Sequence, residues 1–155
     1  MMLTYERLFG SGPRGGLMST ILLVLAYYLE DRVGLPEILK NYEIRYSVFI
    51  GFIILGIALI IWSLVSLPLK ARGRKLVRTG AFHFFRHPLY AAFLLFSNVG
   101  IAFLLNNWIY MIWVLILFPL WSLNVRSEEI LMRKAFGEEY EAYCRTTWRF
   151  VPKLW

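Results

Sequence analysis

The sequence contains little cysteine and little charge. A single cysteine, Cys144, excludes an internal disulfide and a cysteine-based zinc site. Only 17% of the 155 residues are charged, whereas 59% are hydrophobic and 17% are aromatic. This composition is too apolar for an ordinary soluble domain, and the length suits one domain better than two. We therefore expect a single membrane domain over residues 1–155.

Charge is absent from four apolar runs. Residues 46–69 are uncharged for 24 positions, and a bilayer core needs about 20. Residues 88–105 and 108–125, with Asn106 and Asn107 between them, predict a helical hairpin. Residues 15–29 are uncharged but short, so their span is expected to extend to about residue 33. The sequence predicts an all-α integral membrane protein with four transmembrane helices, at approximately 15–33, 46–69, 88–105 and 108–125.

Ionisable residues are also missing from the interior of these runs. An ion or proton pathway ordinarily needs such residues at membrane depth, so a transporter or channel is disfavoured. A cleavable signal peptide is the alternative for residues 15–29, but no small-residue cleavage site follows them.

Acidic residues are missing from residues 70–87, which carry six bases. These are Lys70, Arg72, Arg74, Lys75, Arg78 and Arg86. Residues 30–45 carry four acids and three bases. Because basic loops favour the cytoplasmic side, we expect the 70–87 loop and both termini inside. Attraction to anionic lipid accounts for much of the remaining positive charge. Nucleic-acid binding is disfavoured, since the basic run adjoins two spans.

The tail, residues 126–155, holds most of the other polar residues. Its first part, RSEEILMRKAF, predicts an amphipathic helix with Gly137 at its C-terminal cap, followed by a second helical stretch at 138–145. Such a helix lies at a membrane interface or packs beneath a bundle. Glu128 and Glu129 fall in its first turn, where the helix dipole alone would favour them.

No metal site is expected. His83 and His87 have the spacing of one helix face, but Pro88 disfavours a helical conformation at His87. No third ligand lies nearby in the sequence.

The loop and the tail should meet, because both adjoin the inner ends of the same spans. They bring together Arg86, His87, Tyr90, Glu128, Glu129, Tyr140, Tyr143, Trp148 and Arg149. A pocket half in lipid and half in cytosol suits a water-soluble cofactor that meets a lipid-soluble substrate.

Two motifs carry a family resemblance. LVRTGAFHFFRHPLYAAFLL (76–95) and RSEEILMRKAFGEEYEAYCRTTWRFVP (126–152) resemble the isoprenylcysteine carboxyl methyltransferase family and its phospholipid methyltransferase relatives. The resemblance covers about half the chain, with the spanning hairpin between its two parts. It implies a multi-pass membrane methyltransferase that uses S-adenosyl-L-methionine, without the Rossmann fold of soluble methyltransferases.

The resemblance also implies residue roles. Arg86, His87, Pro88 and Tyr90 would form one wall of the cofactor pocket, and Glu128 and Glu129 its acidic side. Carboxylates can pair with the cofactor's ammonium or sulfonium, and Arg or His with its carboxylate. Glu129 and Arg149 are the expected catalytic residues. Arg149 would orient a carboxylate acceptor, whereas Glu129 or His87 would take a proton from an amine or thiol.

Several alternatives stay open at this point. The acceptor is a prenylcysteine carboxylate, a lipid amine or a lipophilic thiol, and the oligomeric state is open. Relatives commonly have Gly where this chain has Ala92. Sterol and steroid reductases that use NADPH have an ending similar to AYCRTTWRFVP, but they are usually much longer. A non-enzymatic scaffold is the third possibility.

The expected location is the inner membrane of a prokaryote or the endoplasmic reticulum of a eukaryote, with the active site facing the cytosol.

Overall fold

The structure is a computed structural model that describes residues 10–67 and 75–152. Within these ranges it is all-helical, apart from two isolated β-bridges, so the all-α part of the predicted fold class is confirmed. The helices are α1 (Gly12–Val33), α2 (Tyr42–Ser66), α3 (Ala81–Phe84), α4 (Pro88–Leu105), α5 (Trp108–Asn124) and α6 (Arg126–Thr146). Part of the basic loop, including Lys70, Arg72 and Arg74, lies outside the described residues.

The prediction of four transmembrane helices is wrong in number. Among the described residues, three stretches are long and apolar enough to cross a membrane: α2, α4, and the continuous Trp108–Thr146 stretch that contains α5 and α6. Helix α1 has 22 residues, but charged side chains flank its short apolar run, at Arg14 and at Glu30–Arg32. Helix α1 therefore differs from the three candidate membrane spans in composition and not in length.

The Asn106–Asn107 turn joins α4 to α5 as the sequence predicts. Asn106 ends α4 in the left-handed conformation (φ 60°), which asparagine tolerates well. The Asn107 side chain caps α5 by accepting a hydrogen bond from the Ile109 N–H at 2.9 Å. Residues Ala92–Ser97 of α4 form a π-helical turn, and Ala92 is fully buried there, close to Gly56 of α2. Helix α4 thus packs against both α2 and α5.

Helix α1 runs the full length of α5. At one end, the side chain of Asn124, the last residue of α5, donates to the Ser11 carbonyl at 2.9 Å. At the other end, the Tyr110 hydroxyl donates to Glu30 at 2.6 Å. Between them, the Trp121 indole N–H donates to the Ser19 hydroxyl at 2.9 Å. Gly15 allows this approach, since a Cβ there would lie 2.6 Å from the Trp121 ring.

We therefore expect Gly15→Ala to destabilise the bundle by about 1–3 kcal/mol, because Trp121 is buried and cannot move aside freely. Gly16→Ala is the matched control: its Cβ would meet nothing within 4 Å, and alanine favours the helix. Thermal unfolding of both variants in detergent measures the difference. Equal midpoints for the two variants would show that the α1–α5 contact is loose.

Candidate active site

Backbone hydrogen bonds bring the Arg-His-Pro segment against the end of the tail. The Arg86 N–H donates to the Trp148 carbonyl at 2.8 Å, and the His87 N–H donates to the Arg149 carbonyl at 3.0 Å. Pro88 begins α4, where its missing N–H costs nothing, and His87 before it is non-helical. The two segments from the two sequence motifs thus lie side by side at one end of the bundle.

Glu129 lies at the centre of the site, and its side chain is fully buried. The Arg149 guanidinium donates a hydrogen bond to each carboxylate oxygen, from Nε to Oε1 at 2.9 Å and from Nη2 to Oε2 at 2.6 Å. Arg86 Nη1 lies 3.2 Å from Oε1, and His87 Nε2 lies 3.5 Å from the same oxygen. Hydrogen bonding to Glu129 raises the pKa of the Arg149 guanidinium. A buried carboxylate is tolerated only with such pairing, so Glu129 and its three basic neighbours form one unit.

Glu128 anchors a second group of contacts beside the first. Its Oε1 accepts hydrogen bonds from the Ser11 backbone N–H and, at 2.9 Å, from the Tyr90 hydroxyl. Its Oε2 lies 3.7 Å from His87 Nδ1, so His87 stands between the two carboxylates. The Tyr90 ring stacks on His87, with centroids 5.6 Å apart, and packs against Trp121. Glu128 therefore links α1, α4 and α6 at this end of the molecule.

The structure brings all seven residues of the sequence-based site into this cluster, although Pro88 contributes only its position and its buried ring. Three further aromatic residues that were expected to line the pocket lie outside this cluster. Tyr140 and Tyr143 are buried with Leu76 in a separate small core, and Trp148 is 44% exposed. Tyr143 holds the loop by donating to the Phe82 carbonyl.

Sequence reasoning missed three contributors to the cluster. Ser11 meets Glu128 from the start of α1, Asn124 donates to the Ser11 carbonyl at 2.9 Å, and Cys144 accepts a hydrogen bond from Arg86. No local pattern in the sequence signals these contacts, because their partners lie 58 to 117 residues away.

Unpaired polar atoms concentrate at this site. Within the described residues, four buried side-chain nitrogen or oxygen atoms have no hydrogen-bond partner, and three of them are Ser11 Oγ, Arg86 Nε and His87 Nε2. Each such atom costs about 1–3 kcal/mol unless something pairs with it. Their grouping around two carboxylates fits a ligand that carries both acidic and basic groups.

Access to the cluster differs among its members. The side chains of Arg149 and Glu128 are 30% and 25% exposed, whereas those of Arg86 and His87 are 12% and 10% exposed. A ligand would therefore approach Glu129 past Arg149 and Glu128. Among the described residues, no group of three His, Cys, Asp or Glu side chains is arranged to hold a metal ion.

Comparison with known proteins gives two kinds of match. Residues 49–134 match the model of the isoprenylcysteine carboxyl methyltransferase (ICMT) family. Two rice proteins, from Oryza sativa subsp. indica and subsp. japonica, are each named "Probable protein-S-isoprenylcysteine O-methyltransferase". Each is 31% identical over 78 residues, which are 50% of this chain and 41% of the relative. No solved structure matches the chain significantly.

Proposed function

This chain belongs to the isoprenylcysteine carboxyl methyltransferase family, and from that premise we propose that it is a membrane-embedded methyltransferase that uses S-adenosyl-L-methionine to methylate a lipophilic acceptor. The observation that carries the proposal is the cluster around Glu128 and Glu129. It combines two carboxylates, two guanidinium groups and an imidazole at one end of an apolar bundle. The matched region contains both carboxylates, Arg86 and His87.

The residues present fit this cofactor. When bound, S-adenosyl-L-methionine supplies an electrophilic methyl group on a sulfonium, together with an ammonium and a carboxylate. Glu128 and Glu129 have the charge to hold the cationic groups, and Arg86 and His87 can meet the carboxylate. Within the described residues, Arg86 Nε and His87 Nε2 make no well-formed hydrogen bond, so such a ligand could engage both. Arg86 Nε is a donor, and His87 Nε2 is a donor or an acceptor according to the protonation of the imidazole. Tyr90 offers a hydroxyl that is anchored beside Glu128.

The acceptor is proposed to arrive at Arg149. This residue is the most exposed of the three basic groups around Glu129, so an anionic group can reach it first. The rice relatives are named for prenylcysteine, whose carboxylate would be oriented by a guanidinium without any need for a base. An amine or thiol acceptor would have to lose a proton, and His87 or Glu129 is placed to take it. Methyl transfer is an in-line displacement, so positioning and exclusion of water would supply most of the catalysis.

The site is proposed to face the cytosol, in the inner membrane of a prokaryote or the endoplasmic reticulum of a eukaryote. The reason is the charge asymmetry between the basic residues 70–87 and the mixed residues 30–45. With Cys144 replaced by serine, a membrane-impermeant thiol reagent applied from outside should label Glu37→Cys and spare Lys75→Cys. Efficient labelling at position 75 would show that the protein has the opposite orientation in the membrane.

Calorimetric titration of the detergent-solubilised protein with S-adenosylhomocysteine, and separately with NADPH, tests the proposed activity. We expect binding of S-adenosylhomocysteine alone. Binding of NADPH alone would instead support the reductase alternative, and binding of neither would support a scaffold. Transfer of an isotopically labelled methyl group to membrane lipids or to a prenylcysteine analogue then identifies the acceptor.

A further inference from the structure

The start of α1 lies outside the region that matches the family model, yet it forms part of the site. Ser11 is only 6% exposed and lies where α1, α4 and α6 meet. Gly10 approaches so closely that a Cβ there would lie 2.6 Å from Glu128 Oε1 and 2.8 Å from the Tyr90 hydroxyl. The segment therefore packs directly against the acidic side of the cluster.

The backbone of Ser11 is fully engaged. Its N–H donates to Glu128, and its carbonyl accepts from the Asn124 side chain at 2.9 Å and from the Gly15 N–H at 3.0 Å. These three hydrogen bonds fix the position of the Ser11 backbone, and the side chain therefore stays beside the cluster. The hydroxyl, in contrast, is buried and interacts with the Tyr90 phenol, but its geometry is not that of a well-formed hydrogen bond with any described residue.

A buried hydroxyl without a well-formed hydrogen bond is unfavourable for folding, since it has lost its water and gained little in return. Asn124 and Glu128 would hold the Ser11 backbone equally well if the side chain were a methyl group. Within the described residues, the hydroxyl has only this weak contact with Tyr90, and it lies at a site where two other buried polar atoms also make no hydrogen bond.

We propose that the Ser11 hydroxyl is a binding group for the amino-acid end of the cofactor, supplied by α1 from outside the family motifs. This proposal rests on the proposed function. The hydroxyl lies on the Glu128 side of the cluster, where a ligand ammonium is the complementary group. Serine can accept a hydrogen bond from that ammonium while Glu128 supplies the opposite charge.

Ser11→Ala tests the assignment, because it removes the hydroxyl and leaves the backbone bonds in place. We expect affinity for S-adenosylhomocysteine to fall about three- to tenfold, the usual range for one hydrogen bond. Affinity for 5′-methylthioadenosine, which lacks the amino-acid end, should not change. The melting temperature of the ligand-free protein should stay the same or rise, since an unpaired buried group is lost. Thr20→Val, which removes an exposed hydroxyl from the same helix, should alter none of these values.

Three results would overturn the assignment. Unchanged affinity for S-adenosylhomocysteine would remove Ser11 from the binding site. An equal loss with 5′-methylthioadenosine would place the hydroxyl at the nucleoside end. A lower melting temperature of the ligand-free variant would give the hydroxyl a structural role, whatever the ligand. Failure of the unmodified protein to bind S-adenosylhomocysteine would be a different outcome, since it refutes the proposed function itself.

Discussion

Glu129→Gln is expected to weaken cofactor binding by about ten- to hundredfold and to destabilise the protein at the same time. The first effect follows from removing one side of a charge-assisted contact, which costs about 1.5–3 kcal/mol. The second follows from burial: Glu129 is the common counter-charge of Arg149 and Arg86. Removing one partner from a buried ion pair typically costs about 3–5 kcal/mol, because the remaining charges stay unpaired.

Glu139→Gln is the matched control for this substitution. Glu139 also pairs with an arginine, Arg78, at 3.3 Å, but both side chains are about half exposed. Exposed pairs contribute about 0–1 kcal/mol, so this variant should unfold and bind as the parent protein does. Calorimetry with S-adenosylhomocysteine and thermal unfolding in detergent give the two readouts.

The double variant Glu129→Gln/Arg149→Gln separates stability from function. Removing both charges of the bidentate pair should recover part of the stability lost in Glu129→Gln, because fewer buried charges are left unpaired. It should not recover cofactor affinity if the carboxylate itself contacts the cofactor. Recovery of both would show that Glu129 acts only by holding the tail, and unchanged affinity in the single variant would return it to the helix-dipole interpretation.

Much of the site could be predicted from the sequence because short-range chemistry determines it. Pro88 predicts the start of α4 after a non-helical His87, and Gly137 predicts the break in α6, where its φ of 51° is unfavourable for other residues. The Asn106–Asn107 turn is likewise a local signal. Since α5 passes into α6 almost without interruption, Glu128 and Glu129 lie at the same end of the bundle as Arg86 and His87, which directly precede α4.

The rest depends on contacts between distant segments. The number of apolar runs exceeds the number of candidate membrane spans among the described residues, because α1 carries its charges close to a short run. No pattern around Ser11 predicts that it meets Glu128, 117 residues away. Arg149 also holds Glu129 in a bidentate pair, and residue types alone do not specify this contact.

Arg149→Lys is expected to lower methyl transfer by about tenfold or more, although the charge is kept. Arg149 uses Nε and Nη2 together, and this planar pair of donors matches the two oxygens of a carboxylate. An ammonium is a single point charge and cannot reproduce that geometry. Arg133→Lys is the control, because Arg133 pairs with Glu141 through an exposed contact on α6 and should tolerate the change.

Comparing Arg149→Ala with His87→Ala shows whether one residue serves methyl transfer and the other serves cofactor binding. Arg149 is the more exposed, so its loss should abolish transfer and change cofactor affinity little. His87 lies between both carboxylates, and its Nε2 makes no well-formed hydrogen bond with a described residue, so its loss should weaken cofactor binding first. Both residues also touch Glu129, which is why separate measurements of cofactor affinity and of single-turnover transfer are needed. If calorimetry finds the same loss of cofactor affinity in both variants, Arg149 and His87 serve one binding site, and the acceptor is held elsewhere.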